Sequence, residues 1–226
     1  MENISKIKGY ELLSKKVCKI IKSKIINGSL KPGTKLLEAK LAEQMGISRT
    51  PVREALRELA AKGFVKMIPN QGIIVSSDSI EDIQEVMQIR GVLEGLAAHL
   101  ATAKITEEEI SKLENFLKQM EKFTKERDGH AFGEVDAKFH NVIVNISGNQ
   151  RLIQIRKNIT EQAHRYRIKL LNFSGILNYS TQEHWKIVEA LKKKDSKKAE
   201  KLSQKHIENV LANILAHKEK EENKDA

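Results

Sequence analysis

Cysteine is almost absent from this sequence, which holds a single one, Cys18, among 226 residues. One cysteine excludes an intramolecular disulfide, and its place in a helical pattern favours a small core residue over a reactive thiol. No apolar run approaches the roughly 18 residues that a membrane helix needs, so we expect no membrane span. The start of the chain, MENISKIKGY, lacks the apolar core of a signal peptide, and we therefore expect a cytoplasmic protein.

Proline is also scarce, with three residues in all and none beyond the first third of the chain. A long segment without proline, and without the alternation typical of strands, favours helices. Six helices are predicted after the polar boundary 76–79: 80–103, 106–126, 130–146, 149–172, 180–193 and 195–217. Thr106 and Glu109 form a capping box at the second of them. We expect an all-α domain over 80–217 and a charged tail over 218–226.

Basic residues outnumber acidic ones, 40 to 30, which gives a formal net charge of +10. Such an excess predicts an anionic partner, and it leaves nucleic acid, an acidic protein and a membrane surface open. Many of the lysines lie late in the chain, so the total charge does not locate the binding face. With 40% hydrophobic and 31% charged residues, the composition is that of a globular protein.

The segment 36–59, LLEAKLAEQMGISRTPVREALREL, has the pattern of two short helices joined by a turn. Gly46 ends the first helix because glycine tolerates positive φ, and the apolar Ile47 is expected to be buried in the turn. Ser48 is predicted to begin the second helix as an N-cap whose hydroxyl accepts a backbone N–H, with Pro51 in the first turn. The apolar stripes of the two helices have helical spacing: Leu37, Leu41 and Met45, then Val52, Ala55, Leu56 and Leu59.

Another side of the second helix is basic, since Arg49, Arg53 and Arg57 recur every four residues. A helix that packs through one face and presents long cations on another is suited to the major groove of DNA. Glu54 and Glu58 interleave with the arginines, so an ordinary solvated face is the alternative that charge alone leaves open. The turn pattern and the basic N-terminal end favour the DNA-reading helix.

Two strands, 64–68 and 72–75, are predicted around the turn Pro69-Asn70-Gln71. A small hairpin after a DNA-reading helix is a wing, whose tip can enter the minor groove. With a further helix predicted at Tyr10–Ile26, we expect a winged helix-turn-helix domain over 9–76.

Four ionisable residues of the helical domain lie on otherwise apolar helix faces. Asp136 and His140 are four residues apart on the same side of helix 130–146, and His184 and His206 fall within the apolar stripes of the last two helices. Buried alone, a carboxylate and three imidazoles would be costly. Together they form a ligand set for a divalent metal, with zinc the best match and nickel or manganese as alternatives. Each histidine taken alone is also compatible with a satisfied core residue.

Arg90 lies inside the apolar stripe of helix 80–103, with Glu94 one turn further on. An intrahelical pair on the surface is the simpler interpretation, and it stabilises a helix by only about 0.3 kcal/mol. An arginine within an apolar stripe instead favours a cavity, in which its planar fork can hold a carboxylate.

Several of these motifs resemble a known family. The stretch GISRTPVREAL, preceded by LxExxLA and by Pro32-Gly33, resembles the winged helix-turn-helix of GntR-type bacterial transcription regulators over roughly residues 10–76. Three further motifs resemble the all-helical FCD effector domain of the FadR-like subfamily: DxxFH at 136–140, EHxxI at 183–187 and HI at 206–207. The resemblance implies a mainly α protein, in which a winged helix-turn-helix with a small β-hairpin wing precedes an all-α helical-bundle effector domain.

The resemblance also implies roles for individual residues. DNA contacts are expected from the start of the reading helix, from the residue beside Ala39 (where family members often carry an extra basic residue) and from the wing: Ser48, Arg49, Thr50, Arg53, Lys40, Gln71 and Gly72. The family commonly binds a divalent metal through four positions, which here are Asp136, His140, His184 and His206. An acidic effector is expected at Arg90 and Glu94, with further candidates in the same pocket: Asn145, Asn149 and Arg165.

We therefore predict a homodimeric, DNA-binding transcription regulator on a near-palindromic operator, since one reading helix covers only a half-site. The family favours a repressor that is released by a small carboxylate bound at the metal and Arg90, without a membrane partner. A regulator in which the metal itself is the signal is the alternative. A metal hydrolase is disfavoured because no dedicated acid or base lies near the cluster motifs. A purely structural helical module would leave the N-terminal domain unexplained.

Overall fold

The computed structural model describes residues 10–69, 72–76, 79–167 and 174–222. The chain divides into two compact units, Met1–Asp78 and Ser79–Ala226. The described residues form nine helices and three strands, and each unit has its own apolar core. The predicted fold class, mainly α with a small sheet in the first unit, is confirmed.

Three helices and a sheet form the first unit: α1 (Tyr10–Ile26), β1 (Lys35–Leu36), α2 (Glu38–Met45), α3 (Arg49–Ala61), β2 (Val65–Ile68) and β3 (Gly72–Val75). Helices α1 and α3 pack against each other through apolar side chains spaced three and four residues apart. The most deeply buried of these are Ile21, Val52, Ala55, Leu56 and Leu59.

The sheet is antiparallel with the order β1-β3-β2, and β1 is a strand that the sequence does not predict. Lys35 pairs with Ile74, and Leu36 pairs with Ile73. Two residues are too few to display the period-2 pattern of a strand, so only the pairing with β3 identifies them.

The turn between α2 and α3 departs from the prediction in its capping. Gly46 has a φ of 63°, as expected for a glycine that ends a helix. Ser48 is the N-cap of α3 with an extended backbone, as predicted, but its side chain makes no capping hydrogen bond, so the predicted role of its hydroxyl is wrong. An N-cap oxygen bonds the second or third N–H of the helix, and the third position here is Pro51, which has none. Ile47 is half-buried rather than buried, and Leu37 is 51% exposed as the N-cap of α2.

Six helices form the second unit: α4 (Ile80–Thr102), α5 (Glu107–Glu126), α6 (Gly129–Ile146), α7 (Gln150–Arg167), α8 (Ser174–Lys192) and α9 (Ser196–Glu222). The predicted capping box at α5 is confirmed, since the Thr106 hydroxyl accepts from the Glu109 N–H at 3.2 Å and the Glu109 carboxylate accepts from the Thr106 N–H at 2.9 Å. The main core lies between α5, α6 and α8, with these side chains at its centre: Leu113, Leu117, Met120, Phe132, Phe139 and Leu191.

Two boundaries of the second unit differ from the prediction. Helix α8 begins at Ser174, six residues before the predicted start at residue 180; Leu177 in this stretch is 2% exposed and packs in the main core. Helix α9 extends to Glu222, past the predicted end at residue 217. Among the described residues, none of the helices combines the length and apolar character needed to cross a membrane.

Candidate metal centre and DNA-binding surface

Three helices of the second unit bring four ionisable side chains together in the interior. Helix α6 supplies Asp136 and His140, α8 supplies His184, and α9 supplies His206. One ligand atom from each residue lies within 4.8 Å of the other three. Their exposed fractions are 0%, 4%, 0% and 2% in that order, so the cluster is shielded from water.

The three imidazoles meet through the same ring atom. Nε2 of His184 lies 3.2 Å from Nε2 of His140 and 3.1 Å from Nε2 of His206. The carboxylate of Asp136 lies 3.6 Å from Nε2 of His184 and 3.8 Å from Nε2 of His140. Zinc–nitrogen bonds of about 2.0–2.1 Å separate ligand nitrogens by about 3.3 Å in a tetrahedral site. The donor set and its spacing therefore fit a divalent transition metal.

Carboxylates behind two of the imidazoles determine which ring nitrogen carries the proton. Nδ1 of His206 lies 2.8 Å from Oε2 of Glu183, and Nδ1 of His140 lies 3.3 Å from Oε2 of Glu94. An Nδ1–H that donates to a carboxylate leaves the lone pair on Nε2, the atom that faces the other ligands. Burial lowers the pKa of His140 against the opposing effect of Glu94 and Asp136, which favours the neutral imidazole.

The predicted effector residues Arg90 and Glu94 are both buried on α4, with exposed fractions of 1% and 2%. Nε of Arg90 lies 3.5 Å from Oε1 of Glu94. The same oxygen accepts two hydrogen bonds from Arg156 of α7, at 3.0 and 2.8 Å, a contact that the sequence does not indicate. Burial alone would raise the pKa of Glu94, but the positive charge of Arg156, together with His140 and Arg90, holds it well below its usual value.

Two of the other predicted effector residues, Asn145 and Asn149, make no hydrogen bond to Arg90 or Glu94 in the described structure. Asn149 caps α7, because its side-chain oxygen accepts a hydrogen bond from the N–H of Leu152 at 3.1 Å. Asn145 is exposed near the end of α6. The side chain of Arg165 lies outside the described residues. Glu183 and Arg156 are the buried polar residues that the prediction missed; both contact partners far away in sequence, so neither has a local signature.

The predicted DNA-binding residues lie on the surface of the first unit. Helix α3 buries Val52, Ala55, Leu56 and Leu59 and exposes its arginines, so its packing and basic faces are separate. Exposure is common to all the described DNA-binding candidates: Ser48, Arg49, Thr50, Arg53, Lys40 and Gly72. Gln71 lies outside the described residues.

One of these arginines already has an acidic partner within the unit. Nε of Arg53 donates to the two oxygens of Glu38 in α2, at 3.1 and 2.9 Å, and Nη2 lies 2.9 Å from Oε2. The side chain of Arg53 is still 51% exposed, so water and ions reach the pair. The ion pair joins the two helices of the helix-turn-helix and holds the Arg53 guanidinium beside Glu38.

Comparison with known proteins identifies both units. The family model "Bacterial regulatory proteins, gntR family" matches residues 13–75, and the model "FCD domain" matches residues 85–209. The chain belongs to the gntR family of bacterial regulatory proteins. It is 35% identical over 184 residues to the uncharacterised HTH-type transcriptional regulator YdhC of Bacillus subtilis (strain 168), which covers 79% of this chain and 80% of YdhC.

Two further members extend the similarity. The HTH-type transcriptional repressor RspR of Escherichia coli (strain K12) is 25% identical over 202 residues, 89% of either chain. The structure of E. coli McbR/YncC superimposes with a TM-score of 0.71 at 25% identity, and the match covers 91% of this chain and 98% of McbR. The gntR–FCD chain is thus a DNA-binding transcription regulator. Its families and relatives are regulators rather than enzymes, which agrees with the prediction against a hydrolase.

Proposed function

We propose that this gntR-family regulator is a homodimeric repressor whose operator affinity is set by a small organic acid at a metal-containing pocket of the FCD domain. The observation that carries the metal site is the convergence of three Nε2 atoms and the Asp136 carboxylate in the buried interior. Zinc is the favoured ion, with nickel or manganese as alternatives. Similarity to RspR, which is named a repressor, supports the sign of regulation.

Guanidinium groups support an anionic effector. Arg90 is buried beside Glu94 on α4, and the planar fork of a guanidinium can hold a carboxylate through two hydrogen bonds. A divalent ion bound to the cluster would supply Lewis-acid charge to a carboxylate oxygen. Arg90 is the proposed anchor, with these residues as further contributors: Glu94, Asn145, Asn149 and Arg165. The effector alters DNA affinity only as far as it prefers one of the regulator's two states.

We assign DNA binding to residues 9–76 and effector and metal binding to residues 80–217, followed by a charged tail at 218–226. The proposed DNA contacts are Ser48, Arg49, Thr50, Arg53 and Lys40, with Gln71 and Gly72 at the wing. Arginines on the exposed side of α3 are suited to base edges and phosphates of the major groove.

Metal binding is tested first on the full-length chain. The protein is purified without added metal, analysed for metal content, stripped with a chelator and titrated with Zn²⁺. We expect one zinc per chain, and loss of that stoichiometry in His184→Ala. His99→Ala is a matched control, since His99 contacts Glu200 at 2.8 Å and is 40% exposed. Stoichiometric zinc binding by His184→Ala would contradict the metal site.

A metal-sensing regulator is the alternative, and the number of ligands favours it. Four protein ligands are the full complement of a closed tetrahedral zinc site, whereas a site that also holds an effector needs an open position. The operator is first selected from a random DNA pool, and its affinity is then measured against free Zn²⁺, with and without a panel of carboxylic acids. An affinity that follows zinc alone favours the sensor, and one that changes only with a carboxylate favours the effector.

DNA contacts are tested through salt dependence. If Arg49 and Arg53 meet phosphates, each alanine variant should weaken operator binding and reduce the slope of log affinity against log salt by about one. Glu38→Gln removes the partner of Arg53 and should strengthen binding. Arg151→Ala, an exposed arginine on α7 of the other unit, serves as the control. Unchanged affinity and slope in both α3 variants would rule out their assignment.

A homodimer is supported by the apolar surface of α4. Ile89, Val92 and Leu96 lie on this helix at spacings of three and four, and they are 48%, 61% and 39% exposed. A second copy of the chain would bury this stripe and present two reading helices to two half-sites. Light scattering should give twice the chain mass for the wild type and a lower mass for Val92→Glu. A monomeric wild type would contradict the dimer.

A further inference from the structure

A line of buried contacts runs from Arg156 to the metal cluster across three helices. Arg156 of α7 donates from Nε and Nη2 to Oε1 of Glu94 at 3.0 and 2.8 Å. Glu94 of α4 reaches Nδ1 of His140 with its other oxygen, at 3.3 Å. His140 of α6 faces His184 with Nε2. The exposed fractions of Arg156, Glu94 and His140 are 3%, 2% and 4%, so water does not replace these contacts.

The two oxygens of Glu94 have different partners, because Arg156 is hydrogen-bonded to only one of them. With Oε1 held by the guanidinium fork, Oε2 is the oxygen directed at His140. Arg156 is itself held, since its Nη1 donates to the side-chain oxygen of Asn141 on α6. Arg156 therefore fixes which oxygen of Glu94 faces His140.

We infer that Arg156 is a positioning residue for the metal centre, acting through Glu94 to keep the His140 lone pair on Nε2 and directed at the ligand cluster. Arg156 is not a metal ligand and does not contact one. The inference rests on the metal-binding part of the proposed function. It assigns a role to a buried arginine that is not among the predicted site residues.

The contacts behind His206 form a second relay, which can be compared with the relay from Arg156 through Glu94 to His140. His206 also donates from Nδ1 to a carboxylate, at 2.8 Å, but that carboxylate, Glu183, is held at 2.5 Å by the neutral amide of Asn209. The two relays lie on different helices and share no residue. Variants of Glu183 and of Glu94 should both weaken metal binding. The effect of a Glu183 variant should not depend on Arg156, whereas the effect of a Glu94 variant should.

The test is a double-mutant cycle on the zinc affinity of the full-length chain, measured by competition with a chromophoric chelator at pH 7.5. Outer partners of metal-bound histidines typically alter metal affinity by about 10- to 100-fold, so we expect Glu94→Gln and Glu183→Gln to fall in that range. Arg156→Gln should weaken zinc binding by about tenfold. Arg151→Gln, an exposed arginine on the same helix, should bind zinc like the wild type.

The role of Arg156 is tested by the coupling between the effects of the variants on zinc affinity. In the Glu94→Gln background, Arg156→Gln should have no further effect on zinc affinity, whereas in the Glu183→Gln background it should again cost about tenfold. Wild-type affinity in Arg156→Gln, or an equal loss in both backgrounds, would overturn the inference. A wild-type chain that does not bind zinc would instead overturn the proposed metal site.

Circular dichroism of each variant before titration distinguishes a folding defect from a loss of zinc affinity. If Arg156→Gln does not fold, Arg156→Lys takes its place, because lysine keeps the charge but lacks the planar fork that donates twice to one oxygen. We then expect zinc binding to be weakened by about threefold or more, but by less than the complete removal of an outer partner would cause. Wild-type affinity in Arg156→Lys would contradict the positioning role.

Discussion

For two glycines of α4, we predict that substitution by alanine changes the free energy of unfolding in opposite directions. A Cβ added at Gly95 would lie 2.5 Å from Cγ and 2.8 Å from Nε2 of Gln204 in α9, closer than real Cβ atoms approach. At Gly91 the nearest side-chain atom is Cγ2 of Ile207 at 3.7 Å, which is an ordinary contact. The two sites therefore share a helix and a neighbouring helix but differ in available space.

The magnitudes follow from two opposing effects. Replacing glycine by alanine inside a helix stabilises it by about 1 kcal/mol, and Gly91→Ala should raise the free energy of unfolding by roughly that amount. Overpacking costs about 1–3 kcal/mol, so Gly95→Ala should lower the free energy of unfolding by up to about 2 kcal/mol after the helix gain. In a Gln204→Ala background the clash is removed, and Gly95→Ala should then stabilise as Gly91→Ala does.

The assay is urea unfolding followed by the fluorescence of Trp185, the single tryptophan of the chain, which lies in α8 and so reports on the second unit. Since α9 carries His206, Gly95→Ala should also weaken zinc binding, and Gly91→Ala should not. Equal shifts for the two glycine variants, or a loss at Gly95 that persists without the Gln204 side chain, would refute the packing argument.

Three further predictions concern other parts of the chain. Burial, with Glu58 nearby, raises the pKa of Cys18 to about 11 from an ordinary 9.0, so iodoacetamide at pH 8 should alkylate the folded protein at least about 100-fold more slowly than a free cysteine; rapid labelling seen by mass spectrometry would contradict this. Thr106→Ala removes the capping box of α5 and should cost about 1 kcal/mol by the Trp185 assay. Zn²⁺ at 100 times its Kd should add about 2.7 kcal/mol to unfolding, an effect absent in His184→Ala. This stabilisation should shrink as the pH falls from 7 to 5, because imidazoles must lose their protons to bind metal; a pH-independent effect would count against histidine ligands.

Features with a local cause could be predicted from the sequence. Gly46 ends α2 through its own backbone freedom, and the box of Thr106 and Glu109 begins α5 through contacts three residues apart. The spacing of Asp136 and His140 places both on one side of α6 whatever that helix packs against. The helix-turn-helix and half of the candidate metal cluster thus follow from helical periodicity.

Two errors came from contacts that are not local, and a third did not. Strand β1 exists only through Lys35 and Leu36 pairing with β3 almost forty residues later. Helix α8 begins early because Leu177 is buried in the main core, although its neighbours are typical of a loop. The missing hydroxyl cap at Ser48 has a local cause, Pro51 at the third helical position, and was predictable from that residue.

Chain order alone determined that a basic helix would precede a helical bundle with a carboxylate and three imidazoles on its apolar faces. Only the tertiary structure decided which atoms meet: Nε2 of each histidine faces the cluster, and Glu94 is shared between His140 and an arginine 62 residues away. Periodicity assigns a residue to a face of its own helix, but the neighbour across that face depends on how the helices pack. A buried charge needs a partner close in space, and that partner has no fixed separation along the chain.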